Sequence, residues 1–283
     1  MTRSLVTVLV GGATSLAVAG GVASQGAAAQ PTTAQQAPAS TTDSAVSASP
    51  RADERAAVPF GVGERSTYDV KFGPLRVGSG TMEVVGTEEV RGTPAYHTVF
   101  RVKGGTFFYK VDDRFESWMD TRSLASLRFH QDQNEGTKER ERKYEIFPER
   151  EAYSEGGKPE KASVKLPLDE GSFVYFIRTV PLEVGKTYEF HRYFRPERNP
   201  VIIRVLRKEK VTVPAGTFNA IVVQPTINTK GIFSKNGNAQ IWFSDDTNRV
   251  MLQMKSNLSF GSLNLFLTSH RPAAGGTPLT SAR

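Results

Sequence analysis

The chain has no cysteine among its 283 residues. Disulfides, thiolate metal sites and a lipid-modified N-terminal cysteine are therefore excluded. Histidine is scarce too: His97, His130, His191 and His270 are the only four. No two of them stand at the short spacing of a metal site, so no metal is expected and the histidines read as surface or rim residues. There is no basic stripe interleaved with stacking aromatics, which argues against nucleic acid as a partner. The net charge of +7 is mostly that of the central region. Residues 1–57 hold three basic and three acidic residues and residues 271–283 hold two basic ones, leaving a net of +5 between them. That mild excess favours a polyanionic surface such as lipid headgroups or envelope polysaccharide.

The start of the chain points to export. Arg3 precedes an uncharged apolar stretch from Leu5 to Val22, and small residues follow at Val22-Ala23-Ser24 and Ala27-Ala28-Ala29. This is the layout of a secretory signal peptide, expected over residues 1–29. An uncleaved membrane anchor is the alternative, since about 18 apolar residues is the lower limit for spanning. Residues 30–57 are rich in Ala, Pro, Ser, Thr and Gln and carry no aromatics. Such a segment cannot bury enough apolar surface to offset its ordering entropy, so it is expected to be a disordered linker. Residues 271–283 are expected to be a disordered tail. The expected location is the periplasm or the cell surface.

Between these ends lies a β domain, residues 58–270. Runs such as Ser66–Phe72, Ala95–Lys103, Phe107–Met119, Thr137–Phe147, Val201–Val213, Phe218–Thr226, Asn238–Phe243 and Leu263–Thr268 are rich in β-branched and aromatic residues. Gly, Pro, Asn or Asp separates them at barrel or sandwich spacing. Alternation in Ala95–Lys103 puts Tyr96, Phe100 and Val102 on an apolar face and His97, Arg101 and Lys103 on a wet one. One helix is expected. Asp169 or Ser172 caps it, Phe173, Phe176 and Ile177 form its apolar stripe, and Pro181 closes it. Its natural place is against an open side or mouth of the sheet, shielding edge strands.

The domain also reads as a duplication. Trp118 and Trp242 are 124 residues apart, as are Gly92-Thr93 and Gly216-Thr217, while Val62-Gly63 and Val184-Gly185 are 122 apart. Three anchors in the same order suggest one unit used twice, over about 60–135 and 182–268, with a hairpin and helix inserted between. The expected fold is thus mainly β: a duplicated antiparallel sheet forming a curved or barrel-like domain with one short helix.

The segments Gly63-Glu64…Tyr68, Val77-Gly78, Tyr175–Arg178, Val213–Phe218 and Ile241–Asp245 together resemble a bacterial family of exported envelope proteins known only as a domain of unknown function. The resemblance covers about Phe60 to His270. It implies an exported, mainly β, barrel-like domain and supplies no activity and no catalytic residues.

Chemistry is thinly marked. Asp112-Asp113, Asp120 and Asp245-Asp246 suit acid–base work or Ca²⁺, but Asp also initiates turns by bonding its own backbone, and their place at strand ends favours that use. Gly104-Gly105 lacks the strand–helix context of a phosphate loop. No catalytic residue and no cofactor are expected. The aromatics give the better lead. Phe107, Phe108 and Tyr109 cannot all face one core, because strand side chains alternate. They are candidates, with Ile232 and Phe233, for the border of a ligand cavity, while Trp118 and Trp242 are expected to be paired core elements. The function expected is non-catalytic binding of an amphipathic lipid-like or glycan ligand in the cell envelope. The alternatives are a structural or assembly factor whose partner is an envelope protein, and a hydrolase with a dispersed site.

Overall fold

β-Branched and aromatic residues alternate with polar ones along most of the domain, and the chain answers with a single meandering sheet. A computed structural model describes residues 58–106, 109–228, 233, 238–258 and 261–282. The expected signal peptide and linker lie outside the described residues. Eight strands come first: β1 (Arg65–Phe72), β2 (Leu75–Val90), β3 (Thr93–Thr106), β4 (Tyr109–Asp120), β5 (Ser126–Glu135), β6 (Lys138–Phe147), β7 (Ala152–Glu155) and β8 (Lys161–Ala162). The helix α1 (Glu170–Ile177) follows. Six strands complete the chain: β9 (Thr187–Phe190), β10 (Val201–Val213), β11 (Gly216–Thr226), β12 (Gln240–Ser244), β13 (Met251–Leu258) and β14 (Gly261–Arg271).

Each strand pairs antiparallel with its chain neighbour, and β1 pairs with β14, from Arg65 opposite Arg271 to Phe72 opposite Leu263. The 14-stranded sheet is therefore curved but not closed, and its break lies between β8 and β9. The chain crosses this break through α1. A short parallel bridge between Leu168 and Tyr193 stitches it, with Phe194 N–H donating to the Leu168 carbonyl at 2.9 Å. The helix, expected to shield the edge strands, lies instead on the inner face, chiefly against β4 and β3, and meets the edge strand β9 through the rings of Phe176 and Phe190.

The helix starts where the sequence says it should. Asp169 accepts from the backbone N–H groups of Gly171 and Ser172, and the Ser172 hydroxyl accepts from Asp169 N–H, a complete capping box. Phe173, Phe176 and Ile177 are buried against the inner face of the sheet. Past its last turn, Arg178 grips Glu64, the residue just before β1, through both guanidinium Nη atoms, at 2.5 and 3.0 Å. The same guanidinium donates to the carbonyls of Pro59 and Asn248, at 2.7 and 2.8 Å. Among the described residues no helix is long and apolar enough to cross a membrane.

Several expectations change. The described part of the run expected at Phe107–Met119 is the strand Tyr109–Asp120, and β7 and β8 are additional short strands. His97 is not a surface or rim histidine: it is buried between Glu88 and Glu116 and stacked on Trp118, ring centroids 4.3 Å apart. The tryptophans are buried, but not inside the sheet. Ser117 and Met119 face the helix side, so alternation turns Trp118 outward, into a small cluster with Val90, Ala95 and Leu127. Residues beyond His270, expected to be loose, also make contacts. Arg271 ends β14, Leu279 packs on the core, and Ala282 N–H donates to the Thr217 carbonyl at 2.7 Å.

The spaced glycines are not equivalent in place. Arg91 and Gly92 form a two-residue turn with φ of 51° and 82°, whereas Gly216, at φ 137°, is already the first residue of β11. Beyond a bulge common to both hairpins, the first runs from Gly86–His97 to Val90–Thr93 and the second from Arg207–Val222 to Val213–Gly216. The second hairpin is therefore about two residues per strand longer, by the register of its pairs.

Candidate functional site

Where α1 lies across the inner face of the sheet, it leaves an apolar cavity. Met82, Phe100 and Phe115 from β2, β3 and β4 form one wall. Met251, Met254 and Leu265 from β13 and β14 form the other, and Val174, Tyr175 and Phe233 close over them. About 600 Å³ between these atoms is empty when the open solvent at its mouth is counted, and only about 50 Å³ of it can be reached by the centre of a water molecule. Three of the chain's five methionines meet here. Their unbranched, polarizable side chains adapt to irregular apolar shapes.

The helix approaches the sheet closely at its first turn because Gly171 has no side chain. A Cβ there would collide with Ser117 Oγ. Ser117 Oγ instead donates to Asp169 Oδ1 at 2.5 Å, joining β4 to the helix cap. Ser126 Oγ of β5 accepts from Asp169 N–H at 3.0 Å and lies 2.8 Å from Ser172 Oγ. Asp169 is fully buried, and loss of hydration pushes its carboxyl up to about 6, against the opposing pull of the Ser117 and Ser172 hydrogen bonds.

Next to this cap, Glu170 lines the cavity. Its Oε1 accepts from the Tyr193 hydroxyl and lies 3.6 Å from Arg198 Nη1, which also donates to the Tyr193 oxygen at 2.8 Å. Its Oε2 is buried and has no hydrogen-bond partner among the described residues. Burial and the neighbouring Glu170 carboxylate hold the Tyr193 hydroxyl well above the ordinary phenol range. Further along, Arg195 Nη2 donates to the Tyr144 hydroxyl at 2.6 Å, and burial pushes that phenol up to about 12. Of this polar group only Glu170 is among the residues that line the cavity, whose walls are otherwise almost wholly apolar.

The outer face of the sheet carries a second ordered arrangement. Glu88 accepts from Trp118 Nε1 at 2.8 Å through Oε2, and its Oε1 lies 2.8 Å from His97 Nδ1. Glu209 accepts from Trp242 Nε1 at 2.5 Å and pairs with Arg207 at 2.9 Å. These bonds hold both carboxyls below the usual carboxylate range, the Trp118 bond dominating for Glu88 and the Arg207 bond for Glu209. Among the described residues no group of three or more histidine or carboxylate side chains is placed to hold a metal ion.

Of the residues the sequence marked as a cavity border, Phe107, Phe108 and Ile232 lie outside the described residues. Tyr109 opens β4, and its side chain is likewise outside them. Phe233 is half-buried, lines the cavity and meets the ring of Phe173 edge-on, centroids 6.1 Å apart. The acidic residues serve turns and pairs. Asp120 Oδ1 accepts from Arg122 N–H at 2.8 Å, and Asp246 Oδ1 from Asn248 N–H at 2.9 Å. Asp112 pairs with Arg101 at 2.7 Å and Asp245 with Lys208 at 2.8 Å. Sequence reasoning missed Glu170 and the methionines. The scarcity of methionine was the one available signal for the latter.

Comparison with known proteins places the chain in a family. The profile of the family described as protein of unknown function (DUF3108) matches residues 67–268, and the chain belongs to that family. No curated protein matches it. Among solved structures, a β-barrel-like protein of the domain of unknown function DUF1849 from Brucella abortus is similar at 10% identity and a TM-score of 0.48. That similarity covers 76% of this chain and 99% of the other. A candidate lipoprotein from Parabacteroides distasonis is 12% identical with a TM-score of 0.35, over 76% of this chain and 98% of the other. A candidate exported protein with a YmcC-like fold from Bacteroides fragilis is 11% identical with a TM-score of 0.29, over 75% and 97%.

Proposed function

We propose that this DUF3108 protein acts by binding: it holds the apolar part of an amphipathic, lipid-like molecule in the cavity between α1 and the sheet. The observation that carries the reading is the cavity lining. Three methionines, three phenylalanines, a valine and a leucine surround the space, an almost wholly apolar lining of the kind that holds the hydrocarbon part of a ligand. The same lining favours lipid over glycan. A sugar would bring many hydroxyls, and each one buried without a partner costs about 1–3 kcal/mol. Thr98, one of the few polar residues of the lining, already donates its hydroxyl to the Ser117 carbonyl at 3.3 Å.

The Arg3 to Val22 layout supports an exported protein of the cell envelope, where such ligands abound. The paired environments of Trp118 and Trp242 support a domain built from two copies of one unit. The test of the binding reading is direct. Protein purified from its native envelope is extracted with organic solvent and the extract analysed by mass spectrometry. A stoichiometric lipid is the expected result. An extract free of lipid, with a protein that takes up no added amphiphile, overturns it.

A further inference from the structure

We infer that the ligand of this cavity presents a hydrogen-bond donor, a hydroxyl or an amine, to Glu170, and that the site discriminates against free carboxylates. This rests on the reading of the cavity as a lipid site. Glu170 is the first residue of α1 and its side chain is only 11% exposed. One of its oxygens is taken by Tyr193 and Arg198. The other is buried without a donor and closed to water, so a ligand reaches it through a small turn of the Glu170 side chain. A buried carboxylate oxygen left unpaired is costly, and a donor brought by a ligand removes that cost.

Charge points the same way. Among the described residues lining the cavity, Glu170 is the only one that carries a formal charge at neutral pH, and the charge is negative. The nearby guanidiniums do not line it: Arg198 faces Glu170 and Tyr193, and Arg195 faces Tyr144 and, at 4.0 Å, Glu155. A ligand carboxylate seated there would meet a like charge where water screens poorly. A hydroxyl or ammonium group would instead complete the shell of Oε2.

The experiment compares dodecanol, dodecylamine and dodecanoate, which share a tail length, by calorimetric titration of the full chain at neutral pH. Dodecanol and dodecylamine should bind at least tenfold more tightly than dodecanoate. E170Q should narrow the gap between dodecylamine and dodecanoate several-fold. Dodecanoate binding as tightly as the other two, or more so, overturns the assignment while leaving the lipid site intact. Failure of all three to bind overturns the lipid site itself. Should E170Q not fold, the ranking on the unaltered chain decides the matter alone.

Discussion

The indole N–H of Trp118 on β4 reaches across β3 to the carboxylate of Glu88 on β2, at 2.8 Å. Trp242 on β12 reaches across β11 to Glu209 on β10 in the same way. The likeness extends to the backbone. The partner strand is bulged immediately after each tryptophan, between Trp118 and Met119 and between Trp242 and Phe243. The strand bearing each glutamate is bulged as well, at Val84/Gly86 and at Val205/Arg207. A cation also sits over each indole, Arg128 over Trp118 and Lys255 over Trp242.

If the two halves are copies, the two pairs should couple with similar strength. Double-mutant cycles with W118F and E88Q, and with W242F and E209Q, should each give a coupling of about 0.5–1.5 kcal/mol in urea unfolding. A coupling present in one pair and absent in the other would leave the likeness without energetic content.

Asp169 should make stability depend on pH. Its carboxyl is raised from 3.8 to about 6 by burial, so the folded state prefers the protonated acid. This contribution is complete below about pH 4 and is lost as pH rises through about 6, an effect on the order of 3 kcal/mol. D169N keeps a good N-cap residue but does not titrate. The stability of the parent chain relative to D169N should therefore fall between pH 4 and pH 7. Parallel stability curves for the two proteins over that range would contradict the assignment.

The Glu64–Arg178 pair should be expensive to break. Both side chains are more than nine-tenths buried, and Arg178 also holds the carbonyls of Pro59 and Asn248. R178A should cost about 3–5 kcal/mol, because it strands a buried carboxylate and two backbone acceptors. In R178M combined with E64Q the loss should be clearly smaller than the sum of the single losses. Chemical denaturation of the parent, R178A, R178M, E64Q and the double variant checks this, and a loss under about 1 kcal/mol for R178A would refute the role of the pair as the clasp between α1 and β1.

Local signals were readable and distant ones were not. The helix at Glu170–Ile177 was legible because its cap, apolar stripe and closing proline all lie between Asp169 and Pro181. Strand alternation gave most of the sheet. It could not assign a face to Trp242, because Ile241 and Phe243 on either side are apolar too and all three are buried. His97 read as wet because nothing in its own strand shows that Trp118, on the next one, covers it. Glu170 was invisible as a site residue: its partners Tyr193 and Arg198 come from beyond the helix, and the cavity it lines is assembled from β2, β3, β4, β13 and β14. The two-residue β8 is too short to leave any periodicity.

The central claim is that the cavity under α1 takes up an apolar tail, and filling it tests the claim most directly. Val174 lines the cavity from the helix and is only partly buried, so Val174→Trp places a large side chain in the ligand's space. Uptake of the uncharged fluorescent probe N-phenyl-1-naphthylamine is measured on the full chain and on this variant. The account predicts saturable binding by the parent protein and a loss of at least tenfold in the variant, with unfolding free energy changed by no more than about 1–3 kcal/mol. Equal uptake by the two folded proteins, or none by the parent, would contradict it.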